Sequence, residues 1–495
     1  MNPRLRLWLA GALGAVLGVA LGFGLANQSY ALAAAVLFLV LWIIAERYSP
    51  AWPDAWLLAG ALVGYIIGDR GFAQLFITEQ PPLLPAEAVL LVTVPALLIR
   101  MAFRRASGLR RDGLNYALLL WILLGTARLP LDLRRYGFLA LRDYAMVYYA
   151  AFFFIGQAFG GHPASAALLR RAFTAAFLLL PVAVTAFQFA PDFFFTNLTL
   201  RGIPLVYQKS DLAAASLAAG FFWLWTRWER QRRPAWLICA IASMLLIGLM
   251  ASPRAAMVAL AVTTVGWLLA GRWRVAIAQA GLAGATFVVM IALLAFTDRD
   301  VRQTTAYSAY EHVVSIFDFH GTGDYLHNAS GDLGDNNRFR LTWWRTVAEE
   351  TLEQSPVFGL GFGYDLAAKF LASYDLVDPE EFAARSPHSI VMSVFGRMGL
   401  AGLALWAVAG IQVVRLAWRI LKKGEPDAAG LISVAGVILI SACFGVVLEG
   451  PMGAVVFWTA LGLANAAAAT PPAALAGEKA APIPAEALQT AAEKV

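Results

Sequence analysis

Apolar residues run along this chain in long stretches broken by short polar or basic segments, and that pattern alone predicts helices that cross a bilayer. A run of about 17–25 apolar residues covers the hydrocarbon core as an α-helix. Such runs fall at 5–26, 30–45, 55–77, 87–103, 114–127, 138–160, 168–190, 212–226, 235–251, 254–271, 275–296, 388–414, 428–447 and 452–469. The expectation is an all-α polytopic membrane protein with about fourteen transmembrane helices. The first run is too long for a removable signal peptide and lacks a small-residue cleavage site, so it counts as a helix.

One break is unlike the others. Residues 297–387 make a polar, mainly acidic segment of about 90 residues, and insertions of that length usually serve as lids or binding elements. Gly321–Asn337 has the composition of a loop, Arg340–Gln354 has helical periodicity, Gly359–Gly363 is a glycine-rich turn, and a second helix is expected over 365–374. The chain thus divides into helices one to eleven (1–296), a large loop with short helices (297–387), helices twelve to fourteen (388–469), and an Ala-, Pro- and Glu-rich tail (470–495). That tail has the composition of a disordered segment.

Composition agrees with a bilayer and adds a direction. The chain is 60% hydrophobic and 14% charged, which excludes a soluble enzyme and a disordered chain, and two cysteines are too few for a secreted disulfide scaffold. The net charge of +6 does not by itself indicate nucleic acid, because the basic residues cluster between spans. Arg4/Arg6, Arg100–Arg111, Arg170/Arg171, Arg227–Arg233, Arg272/Arg274 and Arg415–Lys423 all fall on one side of a fourteen-helix topology. By the positive-inside rule that side is the cytoplasm, both termini are cytoplasmic, and the large loop is extracytoplasmic.

The informative residues break these local rules. Arg128, Arg134, Arg135 and Arg142 lie at the outer end of helices five and six, against the charge trend. Arg254 sits in the short turn Ser252-Pro253-Arg254 between two apolar helices. A guanidinium there needs an anionic or carbonyl partner: a lipid headgroup, a loop carboxylate, or phosphate oxygens gripped bidentately. His388 opens helix twelve, with Ser386 as N-cap and Pro387 at the first helical position. The positive helix end disfavours imidazolium, so His388 reads either as a neutral base or as an interfacial histidine bonded to loop backbone. Gly396, Gly399 and Gly402 let the same helix pack closely.

Other patterns carry less. Asp298-x-Asp300 reads as a solvated loop start, and His312, His320 and His327 lack zinc spacing, so no metal or cofactor is expected. Gly359-x-Gly361-x-Gly363 follows a helix, not a strand, which argues against a dinucleotide site. Trp343 and Trp344 stack on sugars or pack, with packing preferred; Glu349, Glu350 and Glu353 read as the wet face of the loop helix; Cys239 and Cys443 read as small core residues.

Together these features resemble the O-antigen ligase and polymerase superfamily of bacterial envelope glycosyltransferases. The pattern His, Asn/Ser/Gln, nine residues, Gly-x-x-Gly is met by His388-Ser389, then IVMSVFGRM, then Gly399-Leu400-Ala401-Gly402. The stretch from Arg340 and Trp344 through Pro356 to Gly359, Gly361 and Gly363 is similar to the family's Arg…Trp…Pro…Gly-x-Gly run, and the likeness covers roughly 200–450. Tyr207–Asp211 departs from the Asn-containing stretch common in the family. The resemblance implies inverting, metal-independent transfer of a glycan from an undecaprenyl diphosphate carrier. The acceptor would be a hydroxyl of lipid A-core, a growing glycan or another molecule, at the periplasmic face of the inner membrane. His388 would be the general base and Arg254 would hold the diphosphate, with Arg142, Arg134, Arg135, Arg340 and Arg338 as further substrate-binding candidates. A repeat-unit polymerase uses the same parts. From a different class, a lipid-linked oligosaccharide flippase also fits many helices and outward arginines, though no internal repeat is visible.

Overall fold

The computed structural model describes residues 30–77, 83–103, 109–250, 254–297, 307, 310–311, 314–318, 332–373 and 385–469. The predicted span 5–26, the tail 470–495, Ser252-Pro253, Asp298, Asp300, His312, His320 and His327 lie outside them.

The helices are α1 (Tyr30–Tyr48), α2 (Pro53–Gly68), α3 (Arg70–Gln74), α4 (Pro85–Ala102), α5 (Gly113–Tyr136), α6 (Phe138–Asp143), α7 (Ala145–Tyr148), α8 (Ala151–Gly160), α9 (Pro163–Phe189) and α10 (Pro191–Thr196). A two-residue hairpin, Thr199–Leu200 with Ile203–Pro204, precedes α11 (Ser210–Gln231), α12 (Pro234–Leu249), α13 (Arg254–Leu269) and α14 (Trp273–Thr297). Then come α15 (Asp332–Gln354) and α16 (Ala368–Ser373) of the large loop, and α17 (Ile390–Lys423), α18 (Pro426–Ala442) and α19 (Pro451–Ala469).

These helices sit where the apolar runs predict them, and their ends carry ordinary stop and start chemistry. Asp112 caps α5 by accepting from the Asn115 amide, and Glu425 caps α18 by accepting from Asp427 and Ala428. Gly424 closes α17 in the left-handed conformation.

The expected count of fourteen crossings is not what helix length gives. Among the described residues six helices are long and apolar enough to span, or seven if the pair Val40–Tyr48 and Pro53–Gly68, bent by 102°, is one broken span. Pro234–Leu249, Arg254–Leu269, Trp273–Val289 and Pro426–Ala442 are apolar but shorter. The predicted run 55–77 ends early because Asp69, at φ 51°, breaks it between α2 and α3.

The core lies where α19 packs on α8 and α18, α11 on α18 and α12, and α9 on α2. Buried aromatic rings fill it, among them Trp121, Trp223, Phe152, Phe153 and Phe177. A Cβ at Gly462 would fall on the Phe153 carbonyl, so α8 and α19 touch backbone to backbone.

Candidate active site

The large loop has a small core of its own. Trp343, Val347, Leu360, Leu366, Ala367 and Phe370 are buried together, with Phe339, Tyr364 and Met392 packed around them. Trp343 is fully buried, stacks on Phe370 at 5.1 Å, and donates its indole N–H to the Leu366 carbonyl. Trp343 therefore packs inside the loop and not against lipid, while Trp344 is half-buried. Trp344 donates to the Pro387 carbonyl at 2.6 Å, fixing the residue directly before His388. The loop core thus sets the position of the histidine.

His388 is not in the first turn of its helix. α17 begins at Ile390 with Ser389 as its cap residue, and His388 lies outside it at φ 54°. Its ring is 5.8 Å from that of Trp343. A non-glycine residue in the left-handed region is uncommon, and such positions gather at functional sites. Burial pushes the His388 imidazole down to about 4, and the cations Arg340 and Lys209 push the same way against the carboxylate of Asp211. The ring is held neutral, as the sequence suggested, but by burial and cations more than by a helix end.

The cations come from separate elements. Arg340, on α15, donates to the Phe444 carbonyl at 2.7 Å in the connection between α18 and α19. Burial lowers its guanidinium to about 10, with Arg254 adding repulsion and Asp211 opposing it. Arg254 opens α13 and donates to the Ser315 hydroxyl at 3.2 Å. Lys209 pairs with Asp211 at 3.2 Å, and its backbone N–H donates to Asp69, whose buried carboxyl is raised to about 8. His388, Arg340, Arg254, Lys209 and Asp211 thus form one electrostatic neighbourhood.

Behind it lies a clamp built from glycines and paired charges. α17 breaks at Gly399 (φ 62°, ψ −158°), where a Cβ would meet the Gly359 amide and the Val357 carbonyl at 2.5 Å. Leu360 and Gly361 donate to the Gly396 and Arg397 carbonyls, while Leu400 and Ala401 donate to Pro356 and Val357. The glycine-rich turn is therefore a backbone seam against α17. Arg128 donates to the Phe358 and Gly359 carbonyls and pairs with Asp132 at 3.0 Å; Asp132 also accepts from the Phe362 amide. Arg397, 3% exposed, pairs with Asp143 at 2.7 Å, and Asp143 accepts from the Gly363 amide. Ser393, one turn into α17, donates to Glu449 at 2.7 Å.

Of the residues singled out in the sequence, His388, Arg254 and Arg340 come together. Arg134, Arg135 and Arg142 are exposed on α5 and α6, with Arg135 over the Tyr136 ring, and Arg338 is exposed on α15. Glu349 and Glu353 are exposed as expected, but Glu350 is buried and accepts from the Tyr364 hydroxyl. Cys239 and Cys443 are half-buried. Sequence reasoning missed Lys209, Asp211, Asp143 and Arg397. The last carries a usable signal, an arginine inside an apolar run.

No curated protein matches this chain. Residues 240–407, about a third of its length, match the family model described as O-antigen ligase. That segment holds Arg254, Arg340, His388 and Arg397 on the helices and seam just described. Over this segment the chain is similar to the O-antigen ligase family, in agreement with the resemblance its motifs carry.

Proposed function

We propose that this protein transfers a glycan from a polyprenyl diphosphate carrier to an acceptor hydroxyl, at the end of the helix bundle that carries the large loop. Behind this reading stands the His388 imidazole, in a left-handed backbone position beside Trp343, where burial and the cations Arg340 and Lys209 favour its neutral form and Arg254 acts in turn on Arg340. A neutral base takes the acceptor's proton as its oxygen attacks the anomeric carbon. The bond from that carbon to the diphosphate oxygen breaks, and the diphosphate leaves with the electron pair. Arg254 and Arg340 hold it, because guanidinium groups stabilise the charge that grows on phosphate oxygens. Attack opposite the leaving group inverts the anomeric centre. The exposed Arg134, Arg135 and Arg142 draw the anionic carrier toward this end.

A base near 4 is weak. A bound diphosphate opposes the field of Arg340 and Lys209 and raises the pKa of His388, so donor binding strengthens the base. The placement of the basic clusters supports cytoplasmic termini and a site facing the periplasm, and the likeness to the O-antigen ligase family supports the inner membrane. Ligation to lipid A-core and polymerisation of repeat units differ in acceptor and share this chemistry. Deleting the gene separates them: loss of attachment means a ligase, shortened chains a polymerase.

The direct test is reconstitution with a polyprenyl diphosphate glycan and candidate acceptors. His388→Ala is expected to lower transfer by about 10²–10⁴-fold while the folded state persists. Full transfer by both His388→Ala and Arg254→Ala sinks the mechanism.

A further inference from the structure

The opposite end of α11 carries a second cationic site that glycan transfer does not use. Asp211 stands near His388, and Arg227 and Arg230 follow 16 and 19 residues later, roughly 24–28 Å along the helix at 1.5 Å per residue. That distance approaches the thickness of a bilayer core. There a cavity of about 470 Å³ opens between α9, α11, α12 and α18. Arg170, Arg171, Arg227 and Arg230 line it, and Asp427 is the one carboxylate among its lining residues.

Asp427 is already shared. It takes Arg227 at 3.0 Å, Arg230 at 2.8 Å and Arg170 at 3.6 Å. Arg227 is buried, its guanidinium lies over the Trp223 ring at 4.5 Å, and its Nε has no hydrogen-bond partner among the described residues. A buried donor without a partner is costly unless something supplies an acceptor. Four guanidiniums around one carboxylate leave a positive field, and planar forks suit phosphate oxygens.

The cavity also has an apolar side. Along α9 its lining runs from Arg170 and Arg171 through Thr174 and Ala175 to Leu178, one face of the helix climbing about 10 Å toward the bundle centre. Beyond it Leu179 and Val182 are exposed. A soluble phosphate has no use for that wall; an acyl chain does. We propose that this pocket binds the phosphate of an anionic phospholipid, with the headgroup among Arg170, Arg171, Arg227 and Arg230 and a chain along Ala175 and Leu178. Basic pockets between membrane helices hold lipid headgroups in this way.

The test uses the full chain in neutral detergent, following thermal unfolding with phosphatidylglycerol, phosphatidylcholine or inorganic phosphate added. Phosphatidylglycerol is expected to raise Tm, and the other two to leave it unchanged. The double variant Arg171→Gln/Arg230→Gln alters two exposed side chains, so its fold is retained. It should lose the shift and bind phosphatidylglycerol about tenfold or more weakly, while Arg171→Lys/Arg230→Lys keeps most of the effect. The control Arg415→Gln/Arg419→Gln, outside the pocket, should keep it fully. Equal stabilisation by phosphatidylcholine, or a shift that survives Arg171→Gln/Arg230→Gln, overturns the site. A shift from inorganic phosphate equal to that from phosphatidylglycerol overturns the lipid assignment.

Discussion

Arg340, in the large loop, and Arg397, on the helix that follows it, have opposite surroundings. Arg397 meets the carboxylate of Asp143 at 2.7 Å and the Tyr364 carbonyl at 3.2 Å. Arg340 meets a neutral carbonyl, that of Phe444, and feels the repulsion of Arg254. Both cations lose hydration, but Arg397 has a carboxylate in direct contact to offset the cost, whereas Arg340 has only the more distant Asp211. A buried arginine with its own carboxylate holds a fold together. One kept among other cations is ready for an anion that arrives from outside, which in the proposed reaction is the donor diphosphate.

That contrast predicts where damage appears. Arg397→Met leaves Asp143 buried beside the Gly363 amide without its cation, and should cost about 3–5 kcal/mol in stability. Pairing it with Asp143→Asn should recover part of the loss, read from denaturation of the purified protein. Arg340→Gln should leave stability near wild type or raise it, yet slow transfer by about 10²–10³-fold, the scale of one lost transition-state donor. If Arg397→Met slows transfer without unfolding the protein, or Arg340→Gln unfolds it without slowing transfer, the two roles are misassigned.

Gly399 tests the seam between them. Any side chain there meets both a φ of 62° and the backbone of Val357 and Gly359, so Gly399→Ala should cost at least about 1–3 kcal/mol. Gly410, farther along α17 with open space at its Cβ, is the control: Gly410→Ala should be tolerated, and equal losses from both would remove the seam's special role.

These arrangements were legible in the sequence to different depths. The helices were, since an apolar run needs only its own residues to declare itself, and His388 was visible through its spacing to Gly399 and Gly402. Crossings were less so, because a run of 16 or 17 apolar residues can be a core helix as well as a span. Glu350 was misread beside Glu349 and Glu353, although Trp343, Val347, Glu350 and Gln354 repeat at helical spacing and Glu350 shares the face of the loop core. The pairs Arg397–Asp143 and Arg128–Asp132, and the approach of Lys209 and Asp211 to His388, join segments far apart in the chain or local charges to a distant loop. Arg128–Asp132 is itself an i,i+4 pair, but no local pattern encodes its hold on Gly359 and Phe362, the meeting of α6 with α17, or the approach of Lys209 and Asp211 to His388.

The smallest expected effect is also the most specific to the uncompensated site, and it is read in pH. As the proposed base, His388 accepts a proton only while neutral, so transfer should fall as pH drops through its pKa. In the free protein that pKa is about 4, lowered by burial and by Arg340 and Lys209, so the acid limb of kcat/KM should lie well below the ordinary histidine value of 6.5. Arg340→Gln removes one of the cations that lower it, and the limb should move to higher pH; Arg340→Lys keeps the charge and should leave it nearly in place. The donor's diphosphate opposes the same cations, so the limb of kcat, which reports the donor-bound state, should lie above that of kcat/KM. Stability follows the same linkage. Unfolded chains bind the His388 proton near 6.5 and the folded protein only near 4, so stability is full above 6.5 and declines as pH falls toward 4. His388→Gln should flatten that decline, whereas an Arg397 variant should leave its slope unchanged. An acid limb that Arg340→Gln does not move would mean that Arg340, like Arg397, serves the fold and not the base.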